Sequence, residues 1–152
     1  MPGKLLASAH FCFEYCSIAS IHFNLGIVLQ RMNKPQQARQ QFVKAAEGFR
    51  IELAENPNEA PHRTRLGDTL ATMGNFKAAA QAFRKELALN PANLLCYDNL
   101  VKALQYQGQL AEATEVLQKG VEFMSRHGQM DAAAKLKQYL DLLEYRKSKQ
   151  EK

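Results

Sequence analysis

The chain has 152 residues, of which 46% are hydrophobic and 23% are charged, and its formal net charge is +5. This composition excludes an intrinsically disordered chain, and the length predicts one domain with a core large enough to fold alone. A membrane-spanning helix needs about 20 nearly uninterrupted apolar residues. The longest apolar stretch, Phe11 to Leu29, is interrupted by polar residues that include Glu14 and Asn24, so we expect a soluble protein.

The three cysteines, Cys12, Cys16 and Cys96, do not form an even-numbered disulfide framework. We therefore expect reduced thiols and a cytoplasmic location. The apolar run that follows Lys4 is too short for the hydrophobic part of a secretory signal, so secretion is not expected.

A repeat of 34 residues organises the chain. The segments Ala45–Pro57 and Ala79–Pro91 are identical at nine of thirteen aligned positions. Within each repeat the apolar residues recur at helical spacing, without the alternation that is typical of strands. A period of this size is typical of stacked helical units. We therefore predict an all-α fold in which each repeat is a pair of helices.

The first predicted element is an N-terminal helical extension over residues 1–18. Apolar residues such as Leu5, Phe11 and Phe13 are too numerous in it for a segment that stays in water. We expect a partial helix that packs on the pair that follows. The alternative is a non-native start, in which case this chain is the end of a longer protein.

The first helix pair is predicted over residues 19–59 and the second over residues 60–93. The first pair has seven extra residues before its closing Asn-Pro, which predicts a second helix that is longer by about 10 Å. Seven residues are nearly two helical turns, so the buried face keeps its register. Pro57 and Pro91 are expected to end the second helices, because a proline disfavours the helical conformation in the residue that precedes it.

The third pair is predicted over residues 94–127, and residues 128–152 are predicted to form a C-terminal capping helix with a basic tail. Gly74 and Gly108 are expected to end first helices in the left-handed conformation. A similar turn sequence at Gly128 arrives too early for another first helix to precede it. On the capping helix, the residues expected to face the third pair are Met130, Ala133, Leu136 or Leu140, and Leu143.

The repeat resembles the tetratricopeptide repeat family, whose 34-residue unit is a helix-turn-helix with small or apolar residues at set positions. In the second pair the matching residues are Leu66, Gly67, Leu70, Gly74, Ala79, Phe83 and Pro91. Val101 and Glu86 depart from the family pattern, since both stand where a small residue is usual. The resemblance implies a right-handed superhelix of stacked helix pairs that acts as a scaffold or adaptor.

The resemblance also implies a concave groove, lined by the first helices, in which a partner peptide lies. The groove residues carried over to this sequence are Phe23, Ile27, Arg31, Thr64, Asp68, Thr72, Asp98, Lys102, Gln105 and Tyr106. The expected apolar anchors are Phe23, Ile27 and Tyr106, and the residues expected to orient the partner are Arg31, Asp68 and Lys102. An alternative is that the N-terminal segment covers Phe23 and Ile27.

One family function is not expected here. Family members that clamp the C-terminal carboxylate of chaperones use Lys, Asn and Arg at four positions. The residues of this chain at those positions are Phe23, Ile27, Leu95 and Asn99. The clamp is therefore absent from the sequence.

Residues for catalysis or for a cofactor are not evident in the sequence. The four histidines lack the spacing of a metal site, and Cys12 and Cys16, although one helical turn apart, are interpreted as buried apolar thiols. Cys96 has no histidine near it in the sequence to act as a base. A glycine-rich phosphate loop is also missing. We predict no enzyme activity, no cofactor and no metal site.

The positive charges do not predict a nucleic-acid partner. Basic residues of the second helices, such as Arg39 and Arg84, are interspersed with acidic ones, and the basic run at the end of the chain is interpreted as solubilising. We therefore predict a non-catalytic protein-interaction module with a protein or peptide partner, and neither nucleic acid nor membrane. Two hypotheses stay open: the interaction segment of a larger enzyme, such as a transferase or hydrolase, and a self-associating assembly protein.

Overall fold

The computed structural model describes residues 17–150, which form helices and turns and contain no strand. In chain order the helices are α1 (Ile18–Arg31), α2 (Pro35–Glu55), α3 (Ala60–Thr72), α4 (Phe76–Leu89), α5 (Leu94–Tyr106), α6 (Leu110–Arg126) and α7 (Met130–Gln150). The predicted all-α fold is confirmed. None of these helices is long and apolar enough to cross a membrane. The predicted N-terminal extension, with Cys12 and Cys16, lies outside the described residues apart from its last two positions.

The chain divides into two compact units, one ending at Met73 and the other beginning at Gly74. In the first unit α2 packs against both α1 and α3. In the second unit, each of the helices α4 to α6 packs against the next helix along the chain. The division falls in the turn between the two helices of the second predicted pair.

The inserted residues lengthen α2, as the sequence predicts. This helix has 21 residues and α4 has 14, so α2 is longer by about 10 Å at roughly 1.5 Å per residue. Ala38 and Ala45 are 2% and 0% exposed, and Phe42 and Phe49 are also buried. The insertion therefore adds two turns and leaves the buried face in register.

A left-handed residue ends the first helix of each pair. Gly74 and Gly108 have φ angles of 81° and 72°, which confirms the prediction from the sequence. In the first pair the corresponding residue is Asn33, with a φ of 58°. Asparagine adopts this conformation more readily than most residues, which explains how the first pair turns without a glycine.

The helix ends follow from local sequence signals. Three side chains accept a hydrogen bond from the backbone N–H three residues further on, at the starts of α1, α4 and α5: those of Ser17, Asn75 and Asn93. The second helices α2 and α4 end two residues before Pro57 and Pro91, as predicted.

Small residues allow α1 and α2 to approach closely. A Cβ atom at Gly26 would lie 2.6 Å from the ring of Phe42, and one at Gly48 would lie 2.8 Å from the Cβ of Ala19. Gly26 aligns with Gly67 of the second pair, which matches the family pattern. Gly48 also lies at the contact between the two helices, and the family pattern does not identify it.

The capping helix α7 packs on α6 through its apolar side. Ala133, Leu136 and Leu143 are 6%, 3% and 3% exposed, as expected, and Leu140 is half-buried. The expectation that Met130 faces the third pair is wrong, because this residue is 64% exposed. Met130 is the first residue of α7, and a helical side chain points back towards the start of its helix, here over the turn.

Candidate protein-binding faces on the first helices

The predicted groove residues lie on α1, α3 and α5 and belong to both units. Those of the first unit, which we name the α1–α3 face, are Phe23, Ile27, Arg31, Thr64, Asp68 and Thr72. Those of the second unit, which we name the α5 face, are Asp98, Lys102, Gln105 and Tyr106.

On the α1–α3 face, Phe23 is surrounded on several sides. It is half-buried against the core cluster that contains Phe49, and its ring centroid lies 5.9 Å from that of Phe42. The guanidinium carbon of Arg65 lies 5.5 Å from the same ring centroid, a position that the ring's quadrupole favours. Phe23 therefore packs partly against the core and has a cation over its ring. The groove pattern does not include Arg65.

The other residues of the α1–α3 face are spaced by four along their helices. Ile27 is half-buried and Arg31 is exposed on α1. On α3, Thr64 and Asp68 are half-buried, and the hydroxyl of Thr72 donates a hydrogen bond of 2.8 Å to the backbone carbonyl of Asp68. Because residues four apart share one side of a helix, each helix presents its three residues together.

A cavity of about 220 Å³ lies in the first unit, between the start of α2 and the ends of α1 and α3. Its lining includes Gln30, Arg39 and Thr72, which are polar, and Phe42 and Met73, which are apolar. This combination suits an apolar side chain that enters between hydrogen-bonding groups.

The α5 face presents an exposed aromatic ring. Tyr106 is 73% exposed, and its ring stacks on that of Phe76, with 4.4 Å between centroids and 8° between planes. The side-chain amide of Gln107 donates a hydrogen bond of 3.2 Å to the backbone carbonyl of Phe76. The neighbouring contacts therefore hold this ring in place at the surface.

The polar groups of the α5 face are paired within the second unit. The ammonium of Lys102 lies 2.6 Å from a carboxylate oxygen of Asp98, one helical turn away. The hydroxyl of Tyr139, on α7, donates a hydrogen bond of 3.2 Å to the side-chain oxygen of Gln105. Burial, and then the nearby carboxylate of Asp98, raise the pKa of Tyr139, so its hydroxyl keeps its proton. Tyr139 therefore borders this face, which the repeat pattern alone did not indicate.

The described residues offer little for metal or nucleophilic chemistry. Across residues 17–150, no three His, Cys, Asp or Glu side chains are grouped so as to hold a metal ion. His62 Nδ1 lies 3.4 Å from a carboxylate oxygen of Glu52, and the buried thiol of Cys96 donates to the backbone carbonyl of Phe83 at 3.3 Å.

Two family models described as tetratricopeptide repeat match the chain, over residues 17–92 and 94–127. Together these matches span more than half of the sequence. The chain therefore belongs to the tetratricopeptide repeat family. No curated protein matches the chain by sequence.

Several solved structures share the fold. The Yersinia enterocolitica type III secretion chaperone SycD, in complex with a peptide of the translocator YopD, has a TM-score of 0.59 and 15% identity, over 88% of this chain and 98% of that chain. PcrH, in complex with the chaperone binding region of PopD, has a TM-score of 0.60 and 15% identity, over 84% of this chain and 92% of PcrH. The MamA protein has a TM-score of 0.51 and 22% identity, over 73% of this chain and 57% of MamA. At these identities the similarity shows the fold.

Proposed function

We propose that this chain is a protein-interaction module without catalytic activity, and that its first helices bind an extended or helical segment of a partner protein. The observation that carries this proposal is Tyr106, a large exposed ring that is held in position by Phe76. Aromatic residues are enriched at protein interfaces, and a ring that is already positioned loses little conformational freedom on binding.

The family and the shared fold support the proposal. SycD and PcrH, which have a similar fold, are each found in complex with a segment of another protein. On the α1–α3 face, Phe23 and Ile27 are apolar. The family members that clamp the C-terminal carboxylate of chaperones have Lys and Asn at these two positions. We therefore infer that apolar side chains of the partner, rather than its C-terminal carboxylate, are recognised.

The contacts on each face refine the roles expected of the residues. Because Arg65 lies over the ring of Phe23, we assign Phe23 to supporting the face and keep Ile27 and Tyr106 as the apolar anchors. Exposed Arg31 is suited to an acidic residue of the partner. The ion pair between Asp98 and Lys102 is neutral as a whole, so on the α5 face we expect it to orient the partner through hydrogen bonds.

The apolar anchors can be tested with matched surface controls. In the full chain, Tyr106→Ala would be compared with Tyr145→Ala, which removes a ring that is 61% exposed on α7. Ile27→Glu would be compared with Ile51→Glu, at a residue that is 57% exposed on α2. Circular dichroism would establish that all four variants are folded, and quantitative mass spectrometry would measure the proteins recovered with each from cells.

We expect Tyr106→Ala and Ile27→Glu to reduce the recovery of the same partners. A residue of this kind commonly contributes about 2 kcal/mol, which corresponds to binding that is roughly 30-fold weaker. The controls should retain the partners. Unchanged recovery with both face variants, or equal losses with the controls, would count against the proposed faces.

A further inference from the structure

One side of α1, continued by the residue that caps its end, carries an exposed apolar stripe, which we name the α1 stripe. Its residues are Ile18, Ile21, Leu25, Val28 and Met32. They are spaced alternately by three and four, so they lie on one side of the helix, and their exposed fractions range from 41% at Leu25 to 73% at Ile18. None of them is charged. A contiguous apolar surface of this kind is usually an interaction site.

In the third helix pair the corresponding surface is buried. Aligning the first helices by Leu25 and Leu100 places Cys96 at the position of Ile21 and Ala103 at that of Val28. Cys96, Leu100 and Ala103 are 0%, 1% and 2% exposed. The thiol of Cys96 bonds to the backbone of α4, the second helix of the preceding pair. The preceding second helix therefore packs on this surface of α5.

The second pair shows the same arrangement within the first unit. Leu66, which aligns with Leu25, packs against the core cluster that contains Phe49 of α2. Nδ1 of His62, which aligns with Ile21, lies 3.4 Å from a carboxylate oxygen of Glu52 on α2. In both later pairs, then, the equivalent of the α1 stripe contacts the second helix that precedes it in the chain.

We propose that residues 1–16 of this chain dock on the α1 stripe, as a helix that runs back along α1 in the place of a preceding second helix. The stripe begins at Ile18, just after this segment in the chain. The composition also fits, because Leu5, Ala9 and Phe13 are apolar at a spacing of four and the stripe is uncharged. The tetratricopeptide match begins at residue 17, directly after this segment.

The proposed position leaves the α1–α3 face open. At about 100° per residue, the α1 stripe is centred roughly 140° around the helix axis from Phe23, Ile27 and Arg31. Val28 and Ile27 are neighbours in the sequence, yet one belongs to the stripe and the other to the face. The proposal is therefore independent of the proposed function and can be distinguished from a segment that covers the α1–α3 face.

Disulfide cross-linking in the full chain tests the proposal. With Cys12→Ser and Cys16→Ser in the background, Leu5→Cys would be combined either with Val28→Cys or with Ile27→Cys. A helix that turns back before Ser17 places residue 5 about 12 Å along α1, close to residue 28 at about 15 Å. Disulfide formation under mild oxidation would be followed by non-reducing mass spectrometry of monomers and dimers.

We expect the cross-link within one molecule to form at least about tenfold faster with Val28→Cys than with Ile27→Cys, because docking raises the local concentration of the two thiols. Faster reaction at Ile27 would overturn the proposal, and it would also count against the open α1–α3 face. Disulfide dimers through residue 28 would show instead that a second copy covers the stripe. The absence of any cross-link would also overturn the proposal.

Hydrogen exchange provides a second test that does not depend on the introduced thiols. In the full chain, Leu25→Lys should make the amides of residues 5–13 exchange at least about tenfold faster, because a charge in the stripe disfavours docking of the apolar segment. Ile51→Lys, at an exposed residue of α2, is the matched control. Equal exchange of residues 5–13 in both variants would contradict the proposal.

Discussion

Replacing Gly48 with Ala tests whether α1 and α2 are in contact at backbone distance in the lengthened part of α2. The new Cβ would lie 2.8 Å from the Cβ of Ala19 and 3.3 Å from its Cα. Carbon atoms in favourable contact are about 3.5–4.0 Å apart, so both distances are too short. Because the Cα atom belongs to the backbone of α1, the two helices would have to move apart.

Two effects of opposite sign determine the size of the change. Alanine favours a helix over glycine by about 1 kcal/mol. Overpacking of a buried contact costs about 1–3 kcal/mol. We expect the second effect to be larger at Gly48, so that Gly48→Ala lowers the free energy of unfolding by about 1 kcal/mol.

Urea denaturation followed by circular dichroism would measure the change. Comparing Gln40→Gly with Gln40→Ala gives the difference between the two residues on the exposed side of the same helix. A double-mutant cycle with Ala19→Gly, which removes the opposing Cβ atom, should show a favourable coupling of about 1 kcal/mol. The close contact would be refuted if Gly48→Ala raised the free energy of unfolding by as much as the difference between the Gln40→Ala and Gln40→Gly variants.

Two further predictions concern buried aromatic residues. Phe49→Ala should lower the free energy of unfolding by about 3–5 kcal/mol, whereas Ile51→Ala, at an exposed site, should change it by less than about 1 kcal/mol; equal effects in urea denaturation would contradict the assigned core. Burial, with a smaller effect of Cys96, raises the pKa of Tyr97 above its ordinary value of 10.0. The fold favours the neutral phenol, so the stability that this adds is present below about pH 10 and is lost as the pH rises through the raised pKa. Urea midpoints between about pH 8 and 11 should fall less for Tyr97→Phe than for the parent, and parallel curves would contradict this assignment.

The features that depend on one helix at a time could be predicted from the sequence. The seven inserted residues fix the length of α2, and the glycines and prolines mark the turns, because these signals act within a few residues of one another. Asn33 could have been predicted from its alignment with Gly74, since both occupy the left-handed position.

Contacts between side chains of different helices could not be predicted in this way. Helical spacing places a residue on a side of its helix, and an apolar residue there fits both a core and a binding face. The position of Arg65 over the ring of Phe23 is one contact of this kind, since the spacing of residues along α1 gives no sign of it. The contact of Tyr139 with Gln105 depends on how α7 is rotated against α5, which no local pattern specifies.

Site-specific photo-cross-linking in cells tests most directly whether a partner contacts the first helices. A photoreactive phenylalanine analogue would replace Tyr106 on α5 in one sample and the exposed Gln118 on α6, a second helix, in the other. Cross-links to a partner protein from residue 106 and none to that partner from residue 118 are the expected result. Cross-links from residue 118 alone, or equally from both positions, would contradict binding through the first helices.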